Sequence, residues 1–80
     1  MKSLLPEIGK AIRILREKRG LSQTDVREKT GLEASYISRI ETGKIRLPRV
    51  DTINKIAIAI DTTVDEIVKL AIKLETEMKK

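Results

Sequence analysis

The apolar positions of this chain recur at three- and four-residue intervals, and no stretch alternates with period two over a strand's length. That pattern predicts an all-helical fold. Leu5, Ile8, Ile12 and Leu15 follow a 3-4-3 spacing, which lines one face of a first helix over about Pro6 to Lys18. Pro6 is tolerated in the first turn, and Gly20 suits a left-handed stop. Arg16 lies about 40° round the helix from Ile12, at the edge of the buried stripe.

Ser22 opens a second helix, where its hydroxyl can cap free amides of the first turn and Asp25 favours the positive end. Val26 is its main inward residue. Gly31 ends this helix at Thr30, and Leu32 begins a third one after a very short turn, so the two should cross steeply. Gly43 closes the third helix. A basic loop, Lys44-Ile45-Arg46-Leu47-Pro48-Arg49, leads to a fourth with Val50, Ile53, Ile56, Ala57 and Ile60 inward. It ends near Asp61, a residue type that tolerates a left-handed turn. Thr63-Val64-Asp65-Glu66 reads as a capping box for a fifth helix over about 64–79.

Two helices carry patterns that packing alone leaves open. From Val64 to Leu74 the apolar arc of helix five spans about 200°, double what a one-sided surface helix needs. Glu75 and Lys79 interrupt half of it, and Ile67, Leu70, Ala71, Leu74 and Met78 continue. We read the continuing seam as a partner surface, with a second copy of the chain as partner; a longer core contact is the alternative. In the third helix, Ile37, Ile40, Tyr36 and Glu41 share one side, while Ser35, Ser38, Arg39 and Thr42 share the other. A merely solvated face would carry more Lys, Glu and Gln, which favour helix as Ser and Thr do not.

Composition narrows the chemistry. Eighty residues make one domain. The absence of cysteine and histidine excludes disulfides, thiolate chemistry, imidazole bases and the usual zinc sites. No stretch resembles a calcium loop, so no metal and no cofactor are expected. No pair of Ser, Lys or carboxylate side chains suggests an enzyme. The formal charge of +5 points to a polyanionic partner. The start MKSLLPEIGK lacks a signal-peptide core, and the longest apolar run, Ile56 to Ile60, cannot span a membrane, so a cytoplasmic protein with no membrane partner is expected.

The run GLSQTDVREKTGLEASYISRIETGK, between a basic first helix and the Pro48 to Glu66 segment, resembles the helix-turn-helix domain of phage Cro and repressor proteins, the XRE-like family. The likeness covers about Ile8 to Ile67. It implies a five-helix, lambda-repressor-like fold with an extended C-terminal helix, the helix-turn-helix lying at about 22–42. By that resemblance the segment 34–42 is a recognition helix for the major groove of double-stranded DNA, and its sparse face is left for bases. Ala34, Ser35, Tyr36, Ser38 and Arg39 fall on base-contacting positions. Ala34 offers a methyl contact and Arg39 a bidentate contact to guanine. Tyr36 reaches a base or phosphate, or simply packs.

Gln23, Thr42, Lys44 and Arg46 match phosphate-contacting positions, with Gln23 also bracing the recognition helix. Arg16 and Glu41 match a structural salt bridge. Three positions depart from the family pattern: Arg27 stands where a small alanine is usual, Glu33 replaces a Ser or Thr cap, and Asp61 replaces a glycine. The expected function is a sequence-specific transcriptional regulator of repressor type, a homodimer on a palindromic operator. The alternatives are a restriction-modification controller protein, or a protein-interaction module such as an antitoxin with a protein partner.

Overall fold

The computed structural model describes residues 7–78, without the Met78 side chain. It contains five helices in chain order: α1 (Ile8–Lys18), α2 (Gln23–Thr30), α3 (Ala34–Glu41), α4 (Val50–Ala59) and α5 (Val64–Met78). The expected stripe of α1 is realised, with Ile8, Ala11 and Ile12 buried. Leu5 and Pro6, expected in its first turn, lie outside the described residues, as does Lys79.

Each stop and start has a local cause. Ser22 and Asp25 form a reciprocal capping box at α2: the Asp25 N–H donates to Ser22 Oγ at 3.0 Å and the Ser22 N–H to Asp25 Oδ2 at 2.8 Å. Gly31 then turns the chain at φ 76°. The reading of Leu32 as the start of α3 needs correction. Leu32 N–H donates to Thr30 Oγ1 at 3.1 Å, so Leu32 belongs to the turn, and α3 begins at Ala34. Asp61 adopts φ 59°, the left-handed conformation its side chain tolerates.

Two further expectations are revised. At α5, Glu66 N–H donates to Thr63 Oγ1 at 3.1 Å, but the Glu66 carboxylate accepts from Thr62 Oγ1 at 2.6 Å, making half a capping box. Val50, expected inward, is 71% exposed: it is the first residue of α4, at the helix end, whereas Ala57, two turns further along the same side, is fully buried.

The core gathers Ile12, Val26, Ile37, Ile40, Ile56, Ile60 and Ile67, all essentially inaccessible to water. α5 packs chiefly along α1 and also against α4. This accounts for much of the double-width apolar arc of α5, since a helix between two neighbours buries two flanks, while Ile72 stays 52% exposed. It also takes Ile67 and Ala71 out of the expected partner seam. Ile67 and Ala71 are fully buried in the chain's own core, and Leu70 and Leu74 pack half-buried against it. The Met78 side chain of that seam lies outside the described residues. α3 is consequently backed by α1 and α2, its opposite face open.

Candidate nucleic-acid interface

α3 meets α1 at an unusually short distance. A Cβ placed on Gly9 would lie 1.8 Å from the Ile40 carbonyl oxygen, so only glycine allows this approach. Arg16 follows two turns later on the same side of α1, and there it meets Glu41. Arg16 Nε donates to Glu41 Oε2 at 2.8 Å and Nη2 donates to Oε1 at 2.9 Å, a bidentate pair. Arg16 Nη1 donates to the Leu21 carbonyl at 2.7 Å, fixing the α1–α2 turn. Hydrogen bonding to Glu41 raises the already high pKa of this guanidinium.

Gln23 completes the knot. Its Nε2 donates to Glu41 Oε1 at 3.1 Å, so the first residue of α2 holds the end of α3. Buried charge is costly unless every group is satisfied. Among the described residues no buried side-chain nitrogen or oxygen lacks a hydrogen-bond partner. The expected Arg16–Glu41 salt bridge is therefore present, together with the bracing expected of Gln23.

The outward face of α3 is built from what the core leaves over. Ala34, Ser35 and Arg39 are exposed, Ser38 is half-buried, and all four project from a helix whose other side carries Ile37 and Ile40. Tyr36 packs against the core, half-buried, which favours its packing role. Glu33 caps α3 by backbone position alone and makes no side-chain cap bond. Arg27 is exposed, so its bulk does not intrude between α2 and α3. The departure at that position leaves the helix pair intact.

The four expected phosphate positions differ in what holds them. Lys44 is exposed in the loop after α3. Thr42, the α3 C-cap, donates its hydroxyl hydrogen to the Ser38 carbonyl at 2.9 Å. Arg46 passes beside Gly43 and pairs with Glu7 at 3.5 Å, just ahead of α1. Gln23 stands in the first turn of α2, where backbone N–H groups have no intrahelical acceptor.

Two features escaped the sequence reading. Arg19 Nη2 donates to the Asp61 carbonyl at 2.9 Å, tying the end of α1 to the α4–α5 turn. No local pattern announces it, since the contact spans 42 positions. Gly9 did leave a signal, because a glycine inside a helix costs about 1 kcal/mol relative to alanine and persists only where space demands it.

The fold and this face can now be set beside known proteins. A family model described as a helix-turn-helix domain matches residues 7–70. The chain belongs to the helix-turn-helix domain family. This helix-turn-helix chain is 39% identical over 56 residues to the HTH-type transcriptional repressor RghR of Bacillus subtilis (strain 168). The match covers 70% of the chain and 42% of that relative, so the chain spans well under half of the relative's length.

Two solved structures share the fold. One is the restriction-modification controller protein C.Esp1396I, as a tetramer in complex with its natural 35 base-pair operator, with a TM-score of 0.78 and 24% identity. The match covers 95% of this chain and 99% of that one. The other is wild-type C.Esp1396I, with a TM-score of 0.76 and 25% identity over 96% of this chain and 99% of that chain. Among the described residues, no helix is long and apolar enough to cross a membrane, and no group of three acidic side chains could hold a metal ion.

Proposed function

We propose that this chain is a sequence-specific, double-stranded DNA-binding transcriptional regulator of repressor type. The supporting observation is the contrast within α3: an outward face of Ala34, Ser35, Ser38 and Arg39, on a helix whose far end is locked by Arg16, Gln23 and Glu41. A major groove about 12 Å wide admits a helix only if its side chains are small or long enough to reach a base edge. Ser35 and Ser38 donate or accept at bases, Ala34 contacts a thymine methyl, and Arg39 makes the bidentate contact to guanine.

Lys44, Thr42, Arg46 and the α2 start at Gln23 contact backbone phosphates, setting affinity and register. The regulator works in the cytoplasm as a homodimer, on a palindromic operator with half-sites about one helical turn apart. A restriction-modification controller role is the second reading, supported by the whole-chain likeness of fold to C.Esp1396I.

Selection of tight binders from random double-stranded DNA at moderate salt tests the proposal. A palindromic motif with two half-sites near one turn apart is the expected result. Failure to enrich any sequence would overturn it in favour of a partner-dependent interaction module.

A further inference from the structure

α1 and α5 run antiparallel, since the Glu7 N–H donates to the Ala71 carbonyl at 3.3 Å at one end and Arg19 reaches the Asp61 carbonyl at the other. Between the later turns of α1 and the first turns of α5 lies a groove of about 390 Å³. Ile14, Leu15 and Leu70 make its apolar floor, with Ile14 36% exposed and the two leucines half-buried. Lys18, Arg19 and Lys69 line its banks. Lys10, Ile14 and Lys18 recur at four-residue steps along α1, and Lys69 and Lys73 do so along α5, so Lys10 and Lys73 extend the two rows.

The banks are short of acids. Lys10, Lys18, Arg19 and Lys73 have no carboxylate partner among the described residues. Arg19 gives N–H groups to the carbonyls of Ile60 and Asp61, which holds the guanidinium still without neutralising it. Lys69 pairs with Asp65 at 3.2 Å, but both side chains stand in solvent, so the pair is weak and exchangeable. Glu66 is the one acid lining the groove, and its carboxylate accepts from Thr62 Oγ1 at 2.6 Å. Like charges gathered along two banks repel one another, and an anionic partner relieves that repulsion.

We propose that this groove receives an acidic, amphipathic helical segment of another protein. Apolar side chains of that segment pack on Ile14, Leu15 and Leu70, and its carboxylates pair with Lys18, Arg19 and Lys69, as an amphipathic helix lays its apolar face into a groove. A nucleic-acid backbone would match the charge but leave the apolar floor uncovered. A second copy of the chain, at formal charge +5, has the wrong overall sign. Ile14 lies about 160° round α1 from Arg16, which faces α3. The groove therefore opens away from α3, and the proposal stands whether or not the outward face of α3 binds DNA.

Peptide selection against the full chain is the test. A phage-displayed library of random peptides is panned with random duplex DNA in excess, so that general polyanion sites are occupied. The expected winners carry apolar residues at helical spacing flanked by Asp and Glu. Fluorescence anisotropy with one labelled winner should then show Lys18→Glu, Lys69→Glu and Ile14→Asp each weakening binding by about tenfold. All three side chains are exposed, so helicity by circular dichroism should be unchanged. Arg39→Ala should leave the peptide affinity unmoved. A peptide with its acids exchanged for lysines should prefer the Lys18→Glu, Lys69→Glu double variant to the wild type.

No enrichment, winners without acids, or affinities that Lys18→Glu and Ile14→Asp leave unchanged would each overturn the proposal. So would displacement of the peptide by random DNA, which would make the banks a polyanion site. Loss of self-association in Ile14→Asp, read by sedimentation, would give the groove to a second copy and overturn it too. A failed operator selection bears on α3 alone and leaves these measurements standing.

Discussion

Two arginine–carboxylate pairs in this molecule use the same groups to opposite ends. Arg16 and Glu41 are nearly sealed from water, with side chains 9% and 2% exposed, and their bond is bidentate. Arg49 and Asp51 lie open to solvent and meet through one contact at 3.4 Å. The difference is one of surroundings. Burial makes the first pair indispensable once formed, because neither partner can be left alone in a low dielectric. Exposure leaves the second pair weak within a chain and free to exchange partners.

The largest way to break this comparison is to remove one member of the buried pair. Glu41→Ala should cost about 3 kcal/mol of folding stability, read from urea denaturation, because the buried Arg16 loses its bidentate partner and keeps only the Leu21 carbonyl and Glu17 at 4.0 Å. Gly9→Ala attacks the same junction by steric means. It should cost about 3 kcal/mol by the same assay, since the Ile40 backbone must retreat from the added methyl.

Arg39→Ala leaves the knot untouched. It should lower operator affinity by roughly 1 to 3 kcal/mol and relax preference at one base pair, whereas Lys44→Ala should weaken specific and random DNA alike. Equal losses for both variants on both kinds of DNA would defeat that division of roles. A double-mutant cycle on Arg49 and Asp51, run where the chain is monomeric, should give a coupling under about 1 kcal/mol that salt erodes.

The smallest effect is a slope against pH. The Ser22 N–H, with help from its hydroxyl, holds the Asp25 carboxyl below the usual carboxylate range. Asp25 therefore adds stability above its ordinary pKa, and that addition is lost as acid carries pH down through the depressed folded value. Asp25→Asn should flatten the acid limb of the stability profile, measured by thermal melts from neutral pH downward.

Much of this was legible along the chain because its causes are local. Ser22 with Asp25, Gly31 and Asp61 announce their turns through groups within a few residues. The open face of α3 was legible from 100° spacing combined with residue types that do not favour helix. Arg16 at the edge of its stripe was legible too; the bidentate geometry with Glu41 and the third strap from Gln23 were not, since they depend on how three helices meet.

What the sequence determined by itself is the number and amphipathic character of the helices, their stops, and a tight turn into an oddly bare third helix. These follow from periodicity and from backbone chemistry that operate within one or two turns. Only the tertiary structure decided where apolar surface ends up. Ile67 and Ala71 of α5 looked like part of a partner seam but are fully buried in the chain's own core, whereas Val50 looked like core and stands in solvent. Periodicity tells which side of a helix is apolar, but burial is a property of neighbours. The neighbours of α5 and α4 come from distant parts of the chain.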